Sequence, residues 1–102
     1  MLVLVFYVPD THLDVVKQAV FAAGAGRIGH YEGCCWQVKG QGQYRPMADA
    51  NPFIGAAGEF SVVDEYRVEM VLEDSLKAPV LAALLAAHPY EEVAYHFIEA
   101  MV

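Results

Sequence analysis

The chain has 102 residues, 57% of them hydrophobic, with 13 acidic against 6 basic side chains and a formal net charge of −7. This length suits one domain with a single core, and we assign residues 1–102 to a single domain. Without a basic cluster to neutralise phosphates, neither nucleic acid nor an anionic membrane surface is an expected partner. The apolar content exceeds that of typical domains, so we expect surface apolar residues to be covered in a homo-oligomer.

The N-terminal segment Leu2–Val8 is a continuous apolar run that ends at Pro9. Such a run is typical of a central strand covered on both faces. It is too short to cross a bilayer and lacks the features of an export signal. We therefore expect a cytoplasmic protein whose two cysteines, Cys34 and Cys35, are free thiols.

A helix is predicted next. Thr11 and Asp14 resemble a capping box at its start, and Gly24 is placed to end it. Phe21 lies on the polar face, where either the following loop or another subunit would cover it. The apolar residues at helical spacing are Leu13, Val16, Val20 and Ala23.

Two strands and a long connection occupy the middle of the chain. Cys34–Gly40 is predicted as the second strand, and the Gly- and Pro-rich loop from Gly40 to Gly58 is long enough to be functional or mobile. Glu65–Glu73 alternates apolar and polar residues, as a half-exposed strand does. The doublet of Val62 and Val63 interrupts this alternation and predicts a bulge or bend.

The second helix is predicted to be capped by Ser75 and to carry Pro79 near its first turn. Pro89 ends it, because the residue before proline avoids the α region. The last strand is predicted over Glu92–Glu99. The stripe on one face of the helix consists of Leu81, Leu84, Leu85 and His88.

The resulting order, β-α-β-β-α-β, predicts an α+β ferredoxin-like sandwich. In that fold an antiparallel sheet carries both helices on one face. The other face of the sheet is then open, and partner subunits are expected to cover it.

Three candidate motifs favour structural interpretations. The segment "GAGRIG" (24–29) matches a dinucleotide fingerprint, but it follows a helix and precedes a strand, so a helix cap and a tight turn explain it better. Cys34 and Cys35 would point to opposite faces of a strand and cannot both ligate one metal without distorting the backbone. Glu91 and Glu92 would likewise point apart in an extended segment, which is poor geometry for paired acid–base chemistry.

The histidines show no zinc-motif spacing. We expect His12 to be a solvated residue at a helix start and His30 to lie in the glycine-rich loop. His88 is predicted at a helix C-terminus, where the helix dipole favours a protonated imidazole. His96 is expected to be half-buried on the last strand.

Four segments carry a family resemblance: "GAGRIGHYEGCCWQVKGQGQYRP", "NPFIGAAGE", "EYRVE" and "AHPYEEVAY". Together, from about Gly24 to Tyr95, they resemble the PII-like, CutA-like insert domain of the YqfO (Nif-three-like) family. "HPYE" alone is shared with CutA proteins. The resemblance implies a ferredoxin-like fold, assembly commonly as a trimer with clefts between subunits, and a role in sensing or regulation.

In that family the insert interrupts a larger body that carries a two-metal site and is often described as cyclohydrolase-like or hydrolase-like. This chain contains none of that body's histidine-rich motifs, so the resemblance transfers no catalytic residue. We therefore expect a stand-alone, non-enzymatic module. An enzyme that uses the long loop as a lid, or an accessory to such a metalloenzyme, is the least favoured hypothesis.

The leading hypothesis is a regulatory module that binds a small ligand or partner in intersubunit clefts, lined by the loop from Gly40 to Gly58. The candidate ligand-binding residues are His30, Tyr31, Tyr44, His88, Tyr90 and Glu91.

The alternative is a CutA-type metal-binding protein for a divalent or copper ion, because thiolate and imidazole ligands suit Cu(I) or Zn. The candidate metal ligands are His30, Cys34, His88 and Glu91, with Cys35 and His96 as further candidates.

Overall fold

The computed structural model describes residues 1–101 and has the predicted element order. The elements are β1 (Leu2–Pro9), α1 (Leu13–Ala22), β2 (Trp36–Tyr44), β3 (Ser61–Leu72), α2 (Lys77–Ala87) and β4 (Tyr95–Glu99). The strands form one sheet in the order β2-β3-β1-β4, and every neighbouring pair is antiparallel. This confirms the α+β ferredoxin-like sandwich with both helices on one face.

The strand β1 is central, as its continuous apolar run predicts. Its residues Leu4, Phe6 and Val8 are fully buried and face the helices. On its other side Val5 is only 1% exposed, which explains the lack of polar alternation. The buried core contributed by the other elements consists of Val16, Val20, Ala25, Val68, Met70, Leu72, Val80 and Leu84.

The strands β2 and β3 form a longer ribbon than the sequence predicts. They pair without interruption from Trp36 opposite Glu69 to Tyr44 opposite Ser61. The predicted bulge at Val62 and Val63 is therefore wrong, because both residues pair in regular register. Residues 40–44 were predicted to lie in the loop but belong to β2. The prediction missed them because the glycines at 40 and 42 interrupt the alternation of apolar and polar residues that identifies a strand. The connection covers residues 45–60 only, and β4 begins at Tyr95 rather than Glu92.

Both helices begin differently from the prediction. Each follows a single 3-10 turn, and neither α1 nor α2 has a side-chain cap. The hydroxyl of Thr11 bonds the ring Nδ1 of His12 at 2.9 Å instead of capping α1. Ser75 lies inside the 3-10 turn before α2, while Pro79 is in the first turn of α2 as predicted.

The glycine-rich segment after α1 has the predicted structural role. Gly24 has a φ of +110° just past the helix end, a conformation that favours glycine. A Cβ on Gly26 would stand 2.8 Å from the ring of Phe21, so the loop covers Phe21 as expected. Ile28 and Tyr31 then close a two-residue hairpin through reciprocal hydrogen bonds of 3.0 and 2.9 Å.

The buried side of α2 differs from the predicted stripe. Val80 and Leu84 are fully buried, whereas Leu85 is 46% exposed. The helix is apolar almost all round, so spacing alone does not identify its inner face. Among residues 1–101, no helix has the length and apolar character that crossing a membrane requires.

Candidate binding groove

A groove of about 590 Å³ lies where the end of β2, the long connection, β3 and the segment between α2 and β4 meet. We call it the groove throughout. Its lining combines aromatic rings with carboxylates. The lining residues are Tyr7, Gly42, Gln43, Tyr44, Arg45, Pro46, Met47, Asp49, Ala50, Pro52, Phe53, Glu65, Tyr90, Glu91, Glu92 and Ala94.

Tyr90 lies at the centre of this arrangement. Its hydroxyl donates a hydrogen bond to Oε2 of Glu65 at 3.0 Å. The ring centroids of Tyr44 and Phe53 lie 6.1 and 6.4 Å from that of Tyr90, at inclined angles. Burial first, then the bond to Glu65 and its charge, raise the pKa of Tyr90 well above its usual range, so its phenol stays protonated at neutral pH.

Gly42 makes room for the carboxylate of Glu65. Gly42 pairs with Val63 and Gly40 with Glu65, so these residues share the side of the ribbon that faces away from the helices. A Cβ on Gly42 would overlap Oε1 of Glu65. The missing side chain lets Glu65 lie across β2 while it reaches Tyr90.

Two hydrogen bonds hold the long connection against this site. The backbone N–H of Asn51 donates to Oε1 of Glu91 at 2.8 Å, across 40 positions of sequence. The hydroxyl of Tyr44 donates to the carbonyl of Ile54 at 2.6 Å. Burial, followed by the charge of Glu65, raises the pKa of Tyr44. The connection is therefore fastened both to the end of β2 and to the segment after α2.

His88 is buried beneath the groove, with 6% of its surface exposed. Its Nε2 lies 2.7 Å from the carbonyl oxygen of Tyr7, and its Nδ1 lies 3.2 Å from the backbone N–H of Tyr90. Since an N–H donates and a carbonyl accepts, this pattern assigns a neutral ring protonated at Nε2. Burial lowers the pKa of His88, so the prediction of a protonated imidazole at a helix end was wrong. Desolvation, which lowers this pKa, outweighs the hydrogen bond to the carbonyl of Tyr7, which raises it.

The remaining predicted residues lie outside the groove. His30 and Tyr31 are exposed in the Ile28–Tyr31 hairpin, and neither lines the groove. Cys34 and Cys35 are free thiols, as expected, but they precede β2 instead of alternating on it.

Two histidines have surroundings that differ from the predictions. His96 is exposed on β4 rather than half-buried. It lies opposite Val5 on the side of the sheet away from the helices. His12 stands at the start of α1 as predicted, but it is half-buried, with its ring edge-on to Phe53 at 5.4 Å.

The proposed metal ligands do not converge within one chain. Across residues 1–101, no three side chains of the His, Cys, Asp and Glu types are grouped so that they could hold a metal ion. The set of His30, Cys34, His88 and Glu91 is therefore dispersed. Both ring nitrogens of His88 are also engaged in hydrogen bonds with the backbone.

Sequence reasoning missed part of the groove lining. Glu65 looked like one more carboxylate on the exposed side of a strand, and Gly42 looked like a loop residue. Phe53 was hidden in a connection without periodicity. The one signal for them was the length of the connection, because connections this long in a compact domain commonly have a function.

The face of the sheet opposite the helices carries a second notable surface. Trp36 and its neighbour Val38 on β2 are 60% and 45% exposed there, and Ile98 on β4, at the opposite edge of the sheet, is 47% exposed. Arg67 and Glu69 form a salt bridge of 2.9 Å on the same face. We call this surface the open face.

The chain was compared with family models and with proteins of known sequence. No family model matches the chain. A protein of Halalkalibacterium halodurans named "GTP cyclohydrolase 1 type 2 homolog" is 45% identical over 92 residues, which are 90% of this chain and 25% of that protein. The chain thus spans about a quarter of the length of the curated relatives it matches.

Solved structures agree with this relationship. A Bacillus cereus protein described as related to NIF3 superposes with a TM-score of 0.80 and 38% identity, over 94% of this chain and 24% of that one. The PII-like protein CutA from Nostoc superposes with a TM-score of 0.68, over 98% of this chain and 81% of that one. Its identity of 16% shows the fold alone. Over nearly its whole length the chain therefore matches one domain, about a quarter, of proteins of the YqfO (Nif-three-like) family, and it has the fold of PII-like and CutA proteins.

Proposed function

We propose that the chain is a non-enzymatic, cytoplasmic, homo-oligomeric module that binds a small ligand in the groove and has a regulatory role. The observation that carries this proposal is the convergence of the long connection and the segment after α2 on one space of about 590 Å³. This volume lies within the range of small-molecule sites. The bond between Asn51 and Glu91 joins the two walls.

The hydrogen bonding of the polar side chains supports binding rather than catalysis. Both ring nitrogens of His88 are engaged with the backbone, so neither is available to move a proton. The phenol of Tyr90 is committed to Glu65. A general base needs hydrogen-bond access to the proton that it abstracts. The CutA-type metal-binding alternative has no support from the arrangement of the described side chains.

Assembly of identical chains is supported by the open face, where the neighbouring side chains of Trp36 and Val38 on β2 are both exposed. Clusters of exposed apolar side chains commonly mark subunit contacts. A trimer remains the favoured number of subunits, and contact through the open face would bring neighbouring chains near Tyr7, which also lines the groove.

The binding proposal is tested by an NMR screen of small cations, anions and neutral compounds against the labelled chain. Bound compounds should shift the backbone amides of the non-proline residues within 44–53 and of residues 90–92. Tyr90→Ala should abolish these shifts. Tyr31→Ala is the matched control, because Tyr31 is 76% exposed and lies outside the groove. Equal binding by both variants, or no binder at the groove, would contradict the proposal.

Sedimentation velocity tests the assembly. The chain should sediment as an oligomer, and Trp36→Lys should shift it toward monomer by placing a charge on the open face. Val15→Lys is the control, since Val15 is 54% exposed on α1, on the helical side of the sheet. A monomer at micromolar concentration would refute the proposed assembly. Ligand binding in the groove would still be tested by the NMR screen.

A further inference from the structure

The charge of the groove is strongly one-sided. Asp49, Glu65, Glu91 and Glu92 line it, whereas Arg45 is the one cationic lining residue. The guanidinium of Arg45 also lies 4.9 Å from the ring centroid of Phe60, which is outside the lining. A ligand entering the groove therefore meets a negative potential.

Aromatic rings stand among these carboxylates. Tyr7, Tyr44, Phe53 and Tyr90 contribute four rings to the lining. Those of Tyr44 and Phe53 are inclined to the ring of Tyr90 by 62° and 48°. Inclined rings beside carboxylates are the arrangement by which proteins hold ammonium groups, since the face of each ring is negative.

The same geometry disfavours two other classes of ligand. An anion would find one cationic side chain, Arg45, among four carboxylates, and the backbone N–H of Asn51 and the phenol of Tyr90 are already bonded to Glu91 and Glu65. A bare metal ion would need converging ligands, and residues 1–101 offer no group of three such side chains. The groove is also much larger than a metal site.

We propose that the ligand of the groove is an organic cation whose ammonium group lies against the tyrosine and phenylalanine rings beside Glu65. This inference rests on the proposed function, because the groove must first be a binding site. The carboxylate of Glu65 supplies the charge. Its Oε2 accepts the Tyr90 phenol, and its Oε1 lies over Gly42.

The probes are chosen to separate charge from shape. Choline presents a quaternary ammonium, and 3,3-dimethylbutan-1-ol is its neutral isostere. Spermidine presents primary and secondary ammonium groups, and inorganic phosphate is the anionic probe. Titration calorimetry and NMR on the full chain should show choline or spermidine binding at the groove. Choline should exceed its neutral isostere by about fivefold or more in affinity if it is the preferred cation.

Matched variants test the residues. Glu65→Gln should weaken cation binding by about fivefold or more, while Asp64→Asn should change it by less than about twofold. The two substitutions remove equal charge, but Asp64 lies on the other side of β3, beside Lys39, outside the groove. Phe53→Leu should weaken binding in the same way, and Phe60→Leu should not.

Each outcome has a distinct meaning. Stronger binding of phosphate than of either cation at the groove overturns the inference but leaves the proposed function standing. Equal binding of choline and its isostere, without spermidine binding, means that shape alone is recognised, which also overturns it. If none of the four probes binds while the wider screen finds only neutral or anionic ligands in the groove, the organic cation is rejected. If that screen also fails, the proposed function is rejected with it.

Discussion

The carboxylate of Glu65 occupies the place where a side chain on Gly42 would begin. The two residues belong to neighbouring strands and face the same side of the ribbon. Because Gly42 leaves that place free, Glu65 can lie across β2 and accept the phenolic hydrogen of Tyr90. A glycine that looked like part of a loop is thus a condition for the geometry of the groove.

Gly42→Ala is expected to displace Glu65 and break its bond to Tyr90. We expect the free energy of unfolding to fall by about 0.5–1.5 kcal/mol, the usual contribution of one hydrogen bond, and the amide signal of residue 90 to shift. Gly40→Ala is the matched control on the same strand, because a Cβ there meets nothing within 4 Å. Equal effects of the two substitutions would contradict this account of Gly42.

The stability of the chain should depend on pH through His88. Burial lowers the pKa of the folded His88 below its ordinary value of 6.5, so the unfolded chain binds a proton that the folded chain does not. Stability is therefore retained above about pH 7 and falls as pH decreases through 6.5, by at most about 1.4 kcal/mol per pH unit. The loss levels off below the folded pKa.

Chemical denaturation of wild type and His88→Gln between pH 7.5 and 5 measures this contribution as a difference in slope. The substitution should also lower stability at pH 7.5 by about 2–4 kcal/mol, because it disturbs two buried hydrogen bonds. His30→Gln, which replaces an exposed histidine, should keep the wild-type dependence of stability on pH. If the stability of His88→Gln falls with decreasing pH as steeply as that of wild type, His88 is not the source of the pH dependence.

Two of the six tyrosines should ionise unusually late. Burial and Glu65 raise the pKa of Tyr90 and of Tyr44 above the ordinary value of 10. The unfolded chain loses these protons first, so stability should fall as pH rises above 10. Absorbance titration near 295 nm should show a late fraction, and Tyr90→Phe should diminish it. Tyr31→Phe should leave the late fraction intact.

Adjacent leucines on α2 should differ sharply in their effect on stability. Leu84→Ala should cost about 2–5 kcal/mol, because it opens a cavity in the core, where Leu84 is fully buried. Leu85→Ala should cost less than about 1 kcal/mol. Thermal and urea denaturation compare the two variants directly. Similar losses would mean that the inner face of α2 is the one predicted from sequence.

The fold was predictable because its signals are local. The apolar run of β1 and the alternation along β3 each identify a strand within a few residues, and Gly24 and Pro89 mark the ends of the helices. Neighbouring elements then have few ways to pack. The predictions of the helix starts were wrong because a 3-10 turn, such as Asp10–His12 before α1, takes the place of the expected side-chain cap.

The groove was only partly predictable because its contacts join distant positions. Tyr44, Tyr90 and Glu91 were named as candidates and do line it. Their partners were not found, since Glu65 and Tyr90 are 25 positions apart and Asn51 and Glu91 are 40 apart. No periodic pattern encodes such pairs.

The two bonds of His88 have a consequence for how this domain can diversify. Both go to main-chain atoms, the carbonyl of Tyr7 and the N–H of Tyr90. Any residue other than proline at position 90, and any residue at position 7, offers the same atoms. The join between β1 and the segment after α2 is therefore independent of the side chains at those two positions, both of which line the groove. Evolution can exchange what these positions present to a ligand without rebuilding the scaffold that holds them.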